Sequence, residues 1–355
     1  MSAWRAIAAV ARIECLQLVR ARMTFTLLFL VPVLQVLLFG FAIRPTGAEI
    51  SVAVAAPTPA MAALITAALS SEPGLRIQPA TLGPGAAEAR VRDGSAVVGV
   101  EAGPDRSLRI VIDASNAARV SGAAAAIEAA YWRSLAAPSA AAVSGFRVER
   151  LYNPDARADW TFLPALIGVT MMISAIMLGA LSLAREREAG TWEALLTLPL
   201  RPLEIVVGKL IPHVAIGTLQ GCLVLAAGVT IFGTPARGAI PALVALLPIY
   251  AATHLVIGHA IAARAASQLE ALQGAVAFYL PAMLLSGFLY PFEALPPWAR
   301  VVGEAFPLTH LIRAARGAML RGDGAAAVLS QAPPMLAVLA VALAVALLAQ
   351  AKRLD

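Results

Sequence analysis

The sequence predicts an α-helical polytopic membrane protein with six transmembrane helices and an extracytoplasmic α/β domain inserted between the first and second spans. Three observations carry that prediction. Of 355 residues, 60% are hydrophobic and 14% charged, and a mean hydropathy of +0.79 leaves too little polar surface for a soluble chain. Apolar runs long enough to cross a hydrocarbon core of roughly 30 Å lie at residues 24–43, 161–184, 210–232, 239–263, 271–290 and 333–351. Between residues 44 and 159 these runs give way to short alternating apolar segments, the pattern of a small α/β domain.

Residues 1–22 precede the first span. Trp4, Ile7, Ala8, Ala11, Cys15 and Leu18 fall on one helical stripe with Arg5, Arg12 and Arg20 off it, which predicts an amphipathic helix lying in the membrane interface. A plain cytoplasmic extension of the first span is the alternative, because Val10, Ile13 and Leu16 blur the polar face. The run within residues 23–43 has no small-residue cleavage site behind it, so it reads as a retained span. Pro32 is expected to kink it.

Within residues 44–159, strands are expected at 50–55, 75–78, 96–101, 108–113 and 146–152. Helices are expected at 59–70, 86–93 and 117–136. The segment has no His, no G-x-G-x-x-G and no local pair of carboxylates, so nothing in it points to catalysis. Residues 160–355 then hold five spans, with a charged loop at 185–209 and a turn-rich loop at 286–312.

Charge sets the orientation. Arg5, Arg12, Arg20, Arg22, Arg185, Arg187, Arg201, Lys209, Arg264, Lys352 and Arg353 fall on one side of a six-span topology. The positive-inside rule makes that side cytoplasmic, with both termini there and the α/β domain periplasmic. Arg300, Arg313, Arg316 and Arg321 lie on the other side and oppose the trend. Lipid-facing loops account for the pI near 9.9, so no nucleic-acid partner is required. Cys15 and Cys222 sit in separate helical segments, which offers neither a disulfide framework nor a metal cluster. The apolar centres of the runs carry no Asp, Glu, Lys or Arg. Each such residue at a helix centre costs about 2.5–3.5 kcal/mol, and its absence leaves no intramembrane relay for an ion-driven pump. His254 and His259 are five apart and therefore on different helix faces.

The loop at 185–209 concentrates charge in a chain that has little. Read as a helix over 185–198, it aligns Glu186 with Glu193 and gathers Ala189, Trp192 and Leu196 on an apolar stripe. Two aligned carboxylates offer an acidic face to a partner's basic groups, and Gly190 lets a partner backbone come close. The same residues also suit a solvated loop with Arg185 and Glu188 paired. Pro199 and Pro202 break the helix, and Pro202 with Glu204 suits the first turn of the next one.

The run REREAGTWEALLTLPLRPLEIVVGKL resembles the signature of type-2 ATP-binding-cassette (ABC-2) transporter permeases. A second block, LLSGFLYPFEALPPWARVVGEAFPLTHLIRAARGAMLRG, resembles the last outer loop of the same family, of the drug-exporter kind. The resemblance implies a permease subunit of an ATP-driven exporter that moves an apolar or amphipathic, drug-like or lipid-like substrate outward across a bacterial inner membrane. Its implied partners are cytoplasmic ABC ATPase subunits, a second permease copy as homodimer or close heterodimer, membrane lipid and, in some systems, a periplasmic adaptor.

The resemblance further implies that Arg185, Glu186, Arg187, Glu188, Gly190, Thr191, Glu193 and Leu196 form the coupling element against the ATPase. Trp4, Arg5 and Arg12 would belong to an elbow helix beside it. Ser286, Gly287, Pro291, Pro296, Trp298 and Pro307 would belong to a re-entrant outer gate. The polar cluster at 268–273 departs from the family pattern and is given no functional weight. No cofactor is expected on this chain, since G-x-x-x-x-G-K-[ST] does not occur in it. ATP and Mg would bind the partner ATPase, and the chain itself would not be an enzyme. A membrane-anchored assembly or signalling protein presenting the α/β domain is the competing function. Anchors need only one or two spans and no charged loop between kinked helices.

Overall fold

A computed structural model describes residues 3–20, 30, 50–70, 75–103, 107–115, 127, 146–155, 157–190, 202–289, 292 and 295–351. The first expected span, the helix expected at 117–136 apart from Ile127, and the site residues Thr191, Glu193, Leu196 and Pro291 lie outside the described residues. The chain divides into a helical unit, residues 1–41 and 162–355, and a second unit, residues 42–161.

The second unit is built on a six-stranded mixed sheet. Its strands are β1 (Ile50–Ala56), β2 (Leu75–Ile77), β3 (Thr81–Leu82), β4 (Val98–Ala102), β5 (Leu108–Asp113) and β6 (Phe146–Leu151). They run in the order β2-β1-β4-β5-β6, with β3 also on β1. The β4–β5 pair is antiparallel and the other pairs are parallel. Period-two alternation sorts β1 by size as well as by face. Val52 and Val54 enter a core with Val98, Val100, Ile110, Ile112 and Leu69 of helix α2 (Pro59–Ser70). Ala53 and Ala55 face helix α3 (Ala86–Arg92) through Ala87 and Val91. The small face lets α3 sit close, and a Cβ on Gly99 would lie 2.9 Å from the Ala87 carbonyl oxygen. At the polar edge Arg109 gathers Glu88 (2.6 Å), Glu149 (2.6 Å) and Glu101 (3.4 Å). Hydrogen bonds from Arg92 and Arg109 hold the Glu88 carboxyl below its usual range.

In the helical unit, α1 (Ala3–Arg20) is followed after the sheet segment by α4 (Ala158–Glu188), α5 (Pro202–Thr230), α6 (Ile240–Ala262) and α7 (Gln268–Leu285). Then come α8 (Pro297–Glu304), α9 (Pro307–Arg316), a π-helical turn (Gly317–Arg321), α10 (Ala325–Leu329) and α11 (Ala332–Ala351). Among the described residues four helical segments are long and apolar enough to cross a membrane, at 159–188, 204–230, 240–262 and 325–349. The run expected to span 271–290 forms the shorter α7, which stops at Leu285 because Gly287 turns the chain at φ 84°. Helix α6 is the axis of this unit: it packs against α5, α7, α9, α10 and α11. Tyr250, Leu246, Leu247 and Leu255 on it are wholly buried, as expected of a helix apolar all round.

The crossing of α4 and α6 rests on two glycines. A Cβ on Gly179 would strike the Leu255 carbonyl oxygen, and one on Gly258 would strike the Ile176 carbonyl oxygen and come within 2.8 Å of the Ala180 nitrogen. Backbone meets backbone here, the contact that small residues permit between membrane helices. The Tyr250 hydroxyl then donates to the Gly168 carbonyl at 2.9 Å along the same seam. Gly179→Val and Gly258→Val are each expected to destabilise the protein by about 1–3 kcal/mol or more through overpacking. Thermal unfolding in detergent reads this directly. A substitution of Gly190, which has open space around it, is expected to cost less, through its φ of 69° alone.

Candidate functional site at the charged end of the helical unit

The charged residues 185–188 do not form a helix of their own. Arg185 to Glu188 extend α4, and Gly190 at φ 69° ends it, since left-handed backbone is open to glycine at little cost. The Gly190 amide donates to the Arg187 carbonyl at 3.1 Å. The expectation of a continuous helix over 185–198 is therefore corrected, since α4 ends at Glu188; Glu193, expected on the face of Glu186, lies outside the described residues. Gly190, expected mid-helix, instead terminates the helix.

Three consecutive side chains of this stretch are spent on neighbouring helices. Glu186 accepts from the Lys209 ammonium of α5 at 2.5 Å, and the same ammonium pairs with Glu14 of α1 and lies 3.4 Å from the Ser182 hydroxyl. Lys209 is 2% exposed, Glu14 6% and Glu186 14%, so Glu186 is not presented as a surface acid as its sequence position suggested. Burial explains the inward turn: an ammonium placed here by the α5 sequence must find carboxylates or pay the desolvation penalty unpaired. Arg187 donates to the Ala262 carbonyl that ends α6 at 3.0 Å and to the Ala263 carbonyl just beyond it at 2.8 Å, neither of which has a partner within the helix. Glu188 accepts from the Gln268 backbone amide at 2.6 Å and from its side-chain amide at 2.5 Å, at the first turn of α7. The Arg185–Glu188 pairing of the solvated-loop alternative does not form.

That turn is itself reinforced by a reciprocal cap. The Ser267 hydroxyl accepts from the Glu270 amide at 3.2 Å, and the Glu270 carboxylate accepts from the Ala266 amide at 2.7 Å. Helix α1 docks on α5 where Gly208 leaves room, since a Cβ there would lie 2.7 Å from the Val10 Cβ and 3.0 Å from the Ile7 carbonyl oxygen. The buried face of α1 is Ala6, Val10 and Glu14. Trp4, on the expected apolar stripe, is 77% exposed, and Cys15 is exposed as well, so the packed stripe is rotated from the one the sequence suggested. Polar Glu14 belongs to it because Lys209 waits beneath. Arg185, Glu188, Gly190, Trp4, Arg5 and Arg12 are exposed. His213 and His259 donate through Nδ1 to the carbonyls of Lys209 (2.7 Å) and Leu255 (2.8 Å) and serve as packed residues.

The second expected cluster lies at the other loop. Ser286 is buried and Gly287 makes the turn that Phe292 covers, with the Phe292 Cβ 3.1 Å from where a Gly287 Cβ would be. Pro296 is the extended residue before α8, and Pro307 opens α9. Trp298 is 67% exposed on α8 beside Val301. The Arg313 guanidinium lies 4.7 Å above the Phe292 ring. Met171 and Met172 are fully buried.

Sequence reasoning missed Glu14 and Gln268. The first had a readable signal, being the only acid among residues 1–22. Gln268 had none, because its partner stands 80 positions away.

Lys209→Met strands two buried carboxylates and is expected to cost about 3–5 kcal/mol. Glu14→Gln and Glu186→Gln each leave Lys209 one ionised partner and are expected to cost less. Unfolding temperatures of the three variants in detergent check the order. Equal effects would mean that the two carboxylates do not share the lysine.

A family model described as ABC-2 type transporter matches residues 114–320, more than half of the chain. Among curated proteins, the probable multidrug ABC transporter permease YbhR of Escherichia coli K12 is 33% identical over 163 residues, 46% of this chain and 44% of that protein. The probable multidrug ABC transporter permease YbhS of the same organism is 30% identical over 173 residues, 48% of this chain and 46% of that protein. ABC transporter G family member 20 of Dictyostelium discoideum is 28% identical over 173 residues, 48% of this chain and 24% of that protein. The matches thus span less than half the length of the curated relatives. With the family model covering both the charged end of α4 and the α8–α9 loop, the chain belongs to the ABC-2 type transporter family of membrane permeases.

Proposed function

We propose that this chain is the transmembrane permease subunit of an ATP-driven exporter, moving an apolar or amphipathic substrate outward from a bacterial inner membrane. Family membership supports a transport subunit, and two of the bacterial relatives carry the description of probable multidrug permeases. The observation that carries the mechanism is the clamp after α4. Through Arg187, Glu188 and the Glu186–Lys209–Glu14 cluster, the segment before Gly190 is tied to α6, α7, α5 and α1. A displacement applied beyond Gly190 would reach four helices at once, which suits a coupling element driven by a separate ATPase.

On this reading the exposed Arg185, Arg5, Arg12 and Trp4 face the ATPase or the lipid surface, together with Thr191, Glu193 and Leu196. ATP and Mg belong to the ATPase. A second permease copy completes the pathway, residues 24–43 and α7 bring the spans to six, and the sheet unit stands on the periplasmic side, where an adaptor could reach it. The α8–α9 loop forms the outer gate.

Transport by the permease reconstituted with its ATPase is expected to stop when the catalytic Glu of the ATPase is replaced, and to continue when proton and sodium gradients are collapsed. Transport that persists without ATP hydrolysis would sink the mechanism.

For the topology, alkaline phosphatase fused after Ala102 is expected to be active and a green fluorescent protein fused there dark. The reverse pattern places the sheet unit in the cytoplasm and overturns the orientation.

A further inference from the structure

His254 stands on the axial helix α6 and is wholly buried. Its Nδ1 donates to the Tyr250 carbonyl at 3.0 Å. A carbonyl can only accept, so Nδ1 carries the proton, and the neutral ring that suits an apolar span then presents Nε2 as a bare acceptor. Among the described residues Nε2 meets no hydrogen-bond partner. The rings around it offer none. Tyr250, with centroids 4.3 Å apart, has its hydroxyl committed to the Gly168 carbonyl, and Phe278 of α7, at 6.5 Å and 74°, has no polar atom. An acceptor buried in this way has lost its bonds to water and gained no donor in return.

Helix α7 covers this ring unevenly. Ala271, Ala275, Phe278 and Ala282 share one face by helical spacing, and the three alanines are wholly buried while Phe278 is only half-buried. Small residues bring α7 close to α6, where a Cβ on Gly274 would lie 2.5 Å from the Ile261 side chain. Phe278 interrupts that small face opposite His254. Its ring leans in turn on Phe306, just before α9, at 5.6 Å and 81°, and Phe306 is half-buried as well. Pro281 lies within α7 and has no amide to give the Ala277 carbonyl, so the helix lacks a backbone bond beside Phe278.

We propose that His254 is a recognition residue for the transported substrate: Phe278 swings aside, and a substrate with an apolar body and one hydrogen-bond-donating group, a hydroxyl, phenol or amine, takes its place and donates to Nε2. This rests on the permease reading given above and narrows its substrate class. Tyr250, Phe278 and Phe306 supply an aromatic wall for the apolar body. The single lone pair supplies the choice. A group that only accepts, such as an ether, a ketone or a carboxylate, would set lone pair against lone pair there and is disfavoured. His259 farther along α6 also has an Nε2 without a partner among the described residues, but the ring contacts found among those residues involve His254 and not His259.

The test uses the full-length chain in detergent and needs neither ATPase nor transport, so its failure leaves the permease reading standing. Binding of 1-naphthol and of 1-methylnaphthalene, which differ by a hydroxyl against a methyl group, is measured by equilibrium dialysis, each corrected for partition into the micelle. The naphthol is expected to bind about three- to tenfold more tightly, the scale of one neutral hydrogen bond. His254→Leu is expected to erase that preference and His259→Leu to keep it. Equal binding of the two probes, binding of neither, a preference that survives in His254→Leu, or one lost in His259→Leu overturns the proposal. Should His254→Leu fail to fold, the wild-type chain labelled with nitrogen-15 histidine decides. The imidazole in through-space contact with the Tyr250 and Phe278 rings is expected to shift its Nε2 resonance with 1-naphthol and not with 1-methylnaphthalene, and a resonance that stays in place with 1-naphthol overturns the proposal.

Discussion

A single buried ammonium organises the charged end of the helical unit. Lys209 enters α5 one residue after Gly208, at a depth where only 2% of its side chain reaches solvent. A cation held there needs anionic partners, and the two that answer come from elements far apart in sequence, Glu14 and Glu186. Glycine and lysine work as a pair. Gly208 lets the α1 backbone close on α5, and that approach carries Glu14 over the ammonium. Neither residue explains the docking of α1 alone, because the apolar contacts of Ala6 and Val10 would suit several registers, whereas the ion pair fits one.

The same economy of contact governs the crossing of α4 and α6. Helices whose neighbours are as apolar as lipid gain little from burial as such and associate by close packing. Gly179 and Gly258 let the two backbones meet, and Tyr250 adds a hydrogen bond to Gly168 farther along the seam. Helix α4 is therefore fixed along its length by packing and at its charged end by Arg187 and Glu188. Its end cannot shift without disturbing the C-terminus of α6 and the first turn of α7.

How much of this was legible in the sequence varied with the range of the interaction. Apolar runs gave α4, α5, α6 and the C-terminal α11, because a hydrocarbon-length run needs no knowledge of its neighbours. Alternation of Val with Ala placed β1, and LRIVID placed β5. The end of α7 was set too late, since the run stays apolar past the turn that Gly287 imposes. The charged stretch 185–188 stood out at once, yet its side-chain directions did not. Helical spacing assigned Glu186 to an outward face, and only the distant Lys209 and Glu14 reverse that. Gln268 lay in a segment given no weight because it departs from the family pattern, and its partner, Glu188, is remote in sequence.

That reversal changes what the charged stretch can do. A loop of exposed carboxylates would bind a partner by complementary charge, with energies screened by salt and spread over mobile side chains. Here Glu186, Arg187 and Glu188 have each committed their charge to a neighbouring helix, so little of it is left to recruit a partner. The stretch works better as a rigid joint than as a contact surface. On the proposed function, recognition would fall to the exposed Arg185, the exposed face of α1 and the residues beyond Gly190. Force applied to those groups meets a joint whose bonds run to four helices, so that displacement is passed on to the bundle and little is absorbed locally.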